Sequence, residues 1–182
     1  MKRTPVFLLL FFGLALAQGY LSPAARAGLL EALTGPGGAY ESYAFYVATL
    51  GAFGPKEPFR SILNGETEKL RALRQKLEAY GVSYPKKNPY LGRVQVPATA
   101  EAARRFAIAL ETKSIYLEKR VTRAVAGNAD LVSLLNGFRL ADHVQKTALE
   151  EDVTRRTDLA ALVRALGDAC RFAFGAVYCP AP

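Results

Sequence analysis

Histidine and cysteine are almost absent from this chain, which holds one histidine, His143, and two cysteines, Cys170 and Cys179, in 182 residues. A single imidazole excludes any mechanism that needs two. No Gly-rich phosphate loop, Gly-x-Ser-x-Gly elbow, His-Glu-x-x-His pair or Cys–His pair occurs, so the common motifs of phosphate binding, hydrolysis and zinc peptidase chemistry are missing. Beyond residue 16 no apolar run approaches the roughly 20 residues that a membrane-spanning helix needs. Alternating strand patterns are also wanting, and the spacing of apolar residues points to an all-α chain.

The first residues have their own logic. Lys2 and Arg3 precede an apolar run from Val6 to Leu16, and Ala15-Leu16-Ala17 has the small-x-small form of a signal-peptidase site. The expectation is a signal peptide over residues 1–17, cleaved after Ala17, and a secreted or periplasmic protein; the alternative is a retained anchor. Without Lys2 and Arg3 the chain carries 22 basic against 16 acidic residues, a net charge of +6. The cations Arg104, Arg105, Lys113, Lys119, Arg120 and Arg123 are spread along a helix with no arginine-rich arm, which reads as a solvated surface and not as a specific nucleic-acid site. In an exported chain Cys170 and Cys179 are expected to form a disulfide; a redox or metal pair lacks both a Cys-x-x-Cys spacing and a nearby histidine.

Helices follow one another through the rest. Ser22-Pro23 reads as an N-cap with proline at the first helical position, and Gly35-Pro36-Gly37-Gly38 breaks that helix. Ala39 to Phe53 puts Ala39, Tyr43, Tyr46, Val47, Leu50 and Phe53 on one face. The next helix runs from about Glu57 to Tyr80 and stops at Gly81. A Pro- and Asn-rich connection covers Val82 to about Pro97. Thr99 then caps a helix to about Ala126, a further helix covers Ala129 to Val153, and a last one Asp158 to Phe174. Two helical hairpins joined by a long connection imply a four-helix bundle over residues 18–156, with the helix and tail of residues 157–182 packed upon it.

Polar residues interrupt the apolar faces. Phe59, Ile62, Leu63, Leu70, Leu73 and Leu77 share one face of their helix, and Glu66 projects from its middle with Lys69 at its margin. On the following long helix Glu111 and Glu118, seven residues apart, fall within the apolar arc of Phe106, Ala107, Leu110, Leu117, Val121 and Val125. Asp142 sits at the edge of the Leu131, Leu134, Phe138 and Ala141 face, whereas Glu41 and His143 should face water. Buried charge costs several kcal/mol unless it is paired, protonated or metal-bound, so these residues mark a polar site in the core.

The segments Phe53-Gly54, Pro58-Phe59, Ile62, Gly65-Glu66, Leu70-x-x-Leu73 and Tyr80-Gly81-Val82 leading to Asn88-Pro89, with Glu111 and Leu134-Leu135 later, resemble the ferritin-like superfamily, in particular rubrerythrin-related bacterial domains of unknown function. The resemblance implies a bundle whose di-iron centre uses a glutamate from each of two helices and Glu-x-x-His pairs from the others, or a variant of that set. Carried over, Glu66 and Glu111 are retained, the first-helix glutamate falls at Ala39, the histidine after Glu66 falls at Lys69, and the later histidine falls near Ala141 or Asp142. The pattern is thus a degenerate one.

Two roles follow for the cluster. In the first, Lys69 replaces the charge of a lost metal as counter-ion to Glu66 and Glu111, and the domain is non-catalytic and has no cofactor. In the second, Glu66, Glu111, Glu118 and Asp142 hold iron or manganese, and the resemblance then implies oxidoreductase or iron-handling chemistry. A third reading, an envelope interaction module with a protein partner or a second copy of the chain, draws on Tyr40, Phe45, Tyr84, Tyr90 and Tyr116 as candidates for an exposed patch.

Overall fold

The computed structural model describes residues 20–151 in full, together with the backbone of 171–173 and 176–178. The leader expected over residues 1–17, with its cleavage after Ala17, and the disulfide expected between Cys170 and Cys179 fall outside the described residues. Five helices make up most of the described residues: α1 (Pro23–Thr34), α2 (Ala39–Phe53), α3 (Phe59–Ala79), α4 (Ala100–Ala124) and α5 (Ala129–Glu150). None is long and apolar enough to cross a membrane.

Local chemistry sets the helix ends. The Ser22 hydroxyl accepts the Ala25 N–H at 3.1 Å, Thr99 accepts the Ala102 N–H at 3.2 Å and Asn128 Oδ1 accepts the Leu131 N–H at 3.1 Å. Each satisfies one of the backbone donors that a helix start leaves unpaired. Gly81 follows α3 at φ +62°, a conformation that costs glycine little. Arg171–Ala173 (β1) and Ala176–Tyr178 (β2) pair antiparallel, with Phe172 opposite Val177. This corrects the helix expected over Asp158 to Phe174 at residues 171–173: the aromatic and β-branched residues Phe172, Val177 and Tyr178 favour paired strands there.

Helices α2 and α3 pack together, α4 and α5 pack together, and α1 lies on α4. The apolar interior comes in two parts. One gathers Leu29 and Leu33 of α1, Leu73 and Leu77 of α3, Val121 of α4 and Leu131 and Leu135 of α5. The other gathers Phe45 and Tyr46 of α2, Phe59 and Ile62 of α3, Ala107 and Leu110 of α4 and Leu149 of α5. Along α3, α4 and α5 the buried residues where these two parts meet are polar: Glu66 and Lys69, Glu111 and Ser114, with Glu118 just beyond Leu117 at the edge of the first part, and Asp142 and Gln145. The core is therefore split by a polar layer at mid-length.

Several expected faces shift. On α2 the buried side chains include Tyr40, Ala44, Phe45 and Thr49, while Tyr43, Val47, Leu50 and Phe53 are half-buried, because α2 is covered on more than one side. The patch of aromatics does not exist as expected: Tyr40, Phe45 and Tyr84 are buried, Tyr90 is half-buried, and Tyr116 alone is well exposed at 67%. Phe106, placed on the apolar arc of α4, is 42% exposed and lies against Phe45 at the edge of the core. Glu41 is half-buried and not free in water, because it accepts the Gly37 N–H at 2.6 Å and pairs with Lys113 at 3.3 Å. His143 is exposed, as its helical phase requires.

Candidate functional site

The polar layer draws one side chain or more from each of four helices. Lys69 stands one turn after Glu66 on α3, so both leave the same face; Glu111 and Glu118 stand two turns apart on α4; Asp142 and Gln145 are one turn apart on α5; and Tyr46 enters from α2. Glu66, Glu111 and Asp142 have no exposed surface, and Glu118 and Lys69 have almost none.

Lys69 is the hub. Its Nζ donates to both carboxylate oxygens of Asp142 at 2.7 Å, approaches Glu118 Oε1 at 2.8 Å and lies 3.7 Å from Glu66 Oε1. The Glu118 approach has the distance of an ion pair without the angle of a hydrogen bond, which leaves both Glu118 oxygens without a donor. The Phe138 ring adds a cation–π contact at 5.8 Å. Lys69 is thus bound most closely to Asp142 and Glu118, whereas the sequence pointed to Glu66 and Glu111.

Glu111 is held differently. Its Oε1 accepts the Tyr46 hydroxyl, and the Gln145 amide, turned to donate, reaches Glu111 Oε2 at 3.1 Å and Glu66 Oε1 at 3.3 Å. Gly65 makes room for that amide: a Cβ there would stand 2.8 Å from its end. Gly65→Ala is therefore expected to push Gln145 off the two glutamates, and the penalty of about 1–3 kcal/mol for unpairing buried polar groups should outweigh the roughly 0.5–1 kcal/mol that alanine gains over glycine inside a helix. Urea denaturation of the two proteins measures it, and an unchanged midpoint would show that Gln145 does not bridge them.

Protonation follows from burial. Desolvation, aided by the charge of Asp142 and opposed by Lys69, raises Glu66 to about 7. Burial also holds Glu111 and Glu118 well above the usual carboxylate range. For Lys69 burial disfavours the charged form, but Asp142, Glu118, Glu66 and Glu111 together outweigh it and keep the amine an ammonium. Burial and the neighbouring Glu111 likewise keep the Tyr46 phenol protonated. One fixed cation and retained glutamate protons thereby let four carboxyl groups share one dry site.

Oxygens of Glu66, Glu111 and Asp142 come within 4.8 Å of one another, close enough to ligate one ion. Glu118 falls outside that group, so the four-carboxylate set is not brought to one point. The fit is poor while Lys69 binds both oxygens of Asp142, since a divalent ion would have to displace the ammonium and strip protons from glutamates that hold them tightly. Sequence reasoning located Glu66, Lys69, Glu111, Glu118 and Asp142 but missed Gln145 and the hydroxyl of Tyr46. Gln145 was findable, because it continues the Leu131, Leu135, Phe138, Asp142 spacing; the partner of Tyr46 lies on another helix and has no sequence signal.

The fold and this centre define an all-α protein with a lysine–carboxylate cluster in its core. Comparison with protein-family models, with curated proteins and with solved structures finds no match for the chain.

Proposed function

We propose that the protein is an exported, ferritin-like four-helix bundle that has exchanged a metal centre for an internal ammonium and serves as a non-catalytic domain acting through its surface. The observation that carries this reading is the place of the Lys69 amine, 2.7 Å from both oxygens of Asp142 and 2.8 Å from Glu118 in the middle of the carboxylates. A lysine supplies one positive charge without redox chemistry and without an open coordination position. The retained protons on the glutamates supply the remaining neutralisation. Residues Glu66, Glu111 and Ala39, with Lys69 at the histidine position, support the view of an eroded di-iron pattern.

The second reading is a carboxylate metal site for iron or manganese, favoured by the mutual approach of Glu66, Glu111 and Asp142. Elemental analysis of the purified mature protein, before and after incubation with ferrous iron and with manganese, separates the two. The expected result is a folded helical protein that retains no stoichiometric metal through gel filtration. Stoichiometric metal that disappears in Glu66→Ala would replace the first reading by the second.

A further inference from the structure

The core cluster hides four carboxyl groups and one lysine, which makes the surface more basic than the composition suggests. Outside the cluster, residues 20–151 carry seventeen lysines and arginines against nine aspartates and glutamates. Part of this excess converges on a concave place. Between α3 and the connection that follows it lies a groove of about 870 Å³, within the range of about 300–1,000 Å³ found for small-molecule sites.

Four cations line this groove, Arg71 and Arg74 from successive turns of α3 and Lys86 and Lys87 from the connection, while Tyr43, Leu70 and Leu91 give it apolar surface. Two cations are already engaged: Arg71 pairs with Glu68 at 2.6 Å, and Lys86 pairs with Glu78, which also accepts the Tyr84 hydroxyl. Lys87 and Arg74 have no carboxylate partner among the described residues. Arg74 is nonetheless fixed, because its Nη2 donates to the Tyr40 hydroxyl at 3.1 Å and to the Lys86 carbonyl at 3.2 Å, and its buried Nε has no acceptor. Leu91 leaves 46% of its surface exposed at the rim.

The wall is built in place. Asn88 donates to the Tyr40 carbonyl at 2.8 Å and accepts the Tyr90 N–H at 2.9 Å, and the Tyr90 hydroxyl reaches the Thr34 carbonyl at 3.0 Å. Those bonds tie the connection to α1 and α2, so that the lysines it carries face the arginines of α3 without an ordering step on binding.

From this geometry we infer that the groove is a binding site for a small organic anion, with its acid group between Arg71, Arg74 and Lys87 and its apolar body against Tyr43, Leu70 and Leu91. Guanidinium groups recognise a carboxylate or phosphate through charge-assisted hydrogen bonds, Arg74 from its fixed place and Arg71 by exchanging its exposed Glu68 partner for the ligand, and the apolar floor discriminates against the bare inorganic ion.

Calorimetric titration of the full chain with phenyl phosphate, with inorganic phosphate run alongside, tests this. Saturable one-site binding of phenyl phosphate is expected, weakened about tenfold or more in R71Q/K87Q, as the loss of charge-assisted contacts predicts. Both of those side chains stand at the surface, so circular dichroism should show the fold intact. Leu91→Ser should weaken phenyl phosphate and leave inorganic phosphate unchanged. Absence of saturable binding, or binding equal in the parent and the double variant, overturns the proposal, and equal affinity for the two phosphates removes the apolar part of it.

Discussion

Lys69→Ala is expected to destabilise the protein by about 3–5 kcal/mol, the cost of removing one partner from a buried ion pair and leaving the other charge uncompensated. Asp142 loses a donor to each oxygen, Glu118 loses the one close cation it has among the described residues, and the apolar clusters on either side offer nothing in exchange. Denaturant unfolding at neutral pH measures the loss, and Lys69→Met separates it from lost packing, because methionine restores most of the volume without the charge. Lys69→Met should remain close to Lys69→Ala. A variant as stable as the parent would mean that the carboxyl groups neutralise themselves with protons alone, and the ammonium would then have no structural task.

Stability is expected to be greatest in mildly acidic solution and to fall as pH rises from about 5 to 8, the reverse of a protein held by ordinary surface carboxylates. The folded state keeps protons on Glu66, Glu111 and Glu118 at pH values where the unfolded chain has released them, since burial raises all three from their ordinary value of 4.5. Between the unfolded and folded values the native state binds more protons, so unfolding becomes easier with each rise in pH. For Glu66 the window runs from 4.5 to about 7, which corresponds to roughly 3–4 kcal/mol at about 1.4 kcal/mol per pH unit. Glu111 and Glu118 act in the same direction, because burial raises both well above 4.5. Lys69 contributes in the opposite range: with its value held above 10.5, its stabilisation is complete below that pH and is lost only on passing through the folded value. Chemical denaturation between pH 5 and 9 tests the sign. A flat or rising profile would mean that the glutamates are solvated in the native protein.

The two effects are linked. Without Lys69 the remaining carboxyl groups should hold their protons more firmly, so the cost of Lys69→Ala should be smaller at pH 5 than at pH 8. This also bears on the two readings of the centre. Metal binding requires deprotonated ligands and gains from alkaline solution, whereas the ammonium cluster loses stability there.

How far a linear sequence foretells such a centre depends on the scale of the interaction. Helix positions and ends follow from neighbours within a turn, and Ser22, Thr99 and Asn128 cap the helices that their own sequence begins. Periodicity also marked Glu66, Glu111, Glu118 and Asp142, because a carboxylate between leucines one turn apart has nowhere to go but inward. The pairing within that set is a different matter. Lys69 is three residues from Glu66, yet its closest partners come from α4 and α5, at positions 118 and 142, since the long lysine stem reaches across the core and not along its own helix. The same limit explains the aromatics: Tyr40 and Phe45 lie off the main apolar face of α2 and are buried only because other helices and the connection close over them. The groove of Arg71, Arg74 and Lys87 joins two segments that share no periodic pattern. Local spacing therefore established the five helices and which carboxylates turn inward; which side chains meet, which aromatics are covered and how the protons are shared was decided only by packing, because distance and desolvation between helices have no counterpart in the order of residues along the chain.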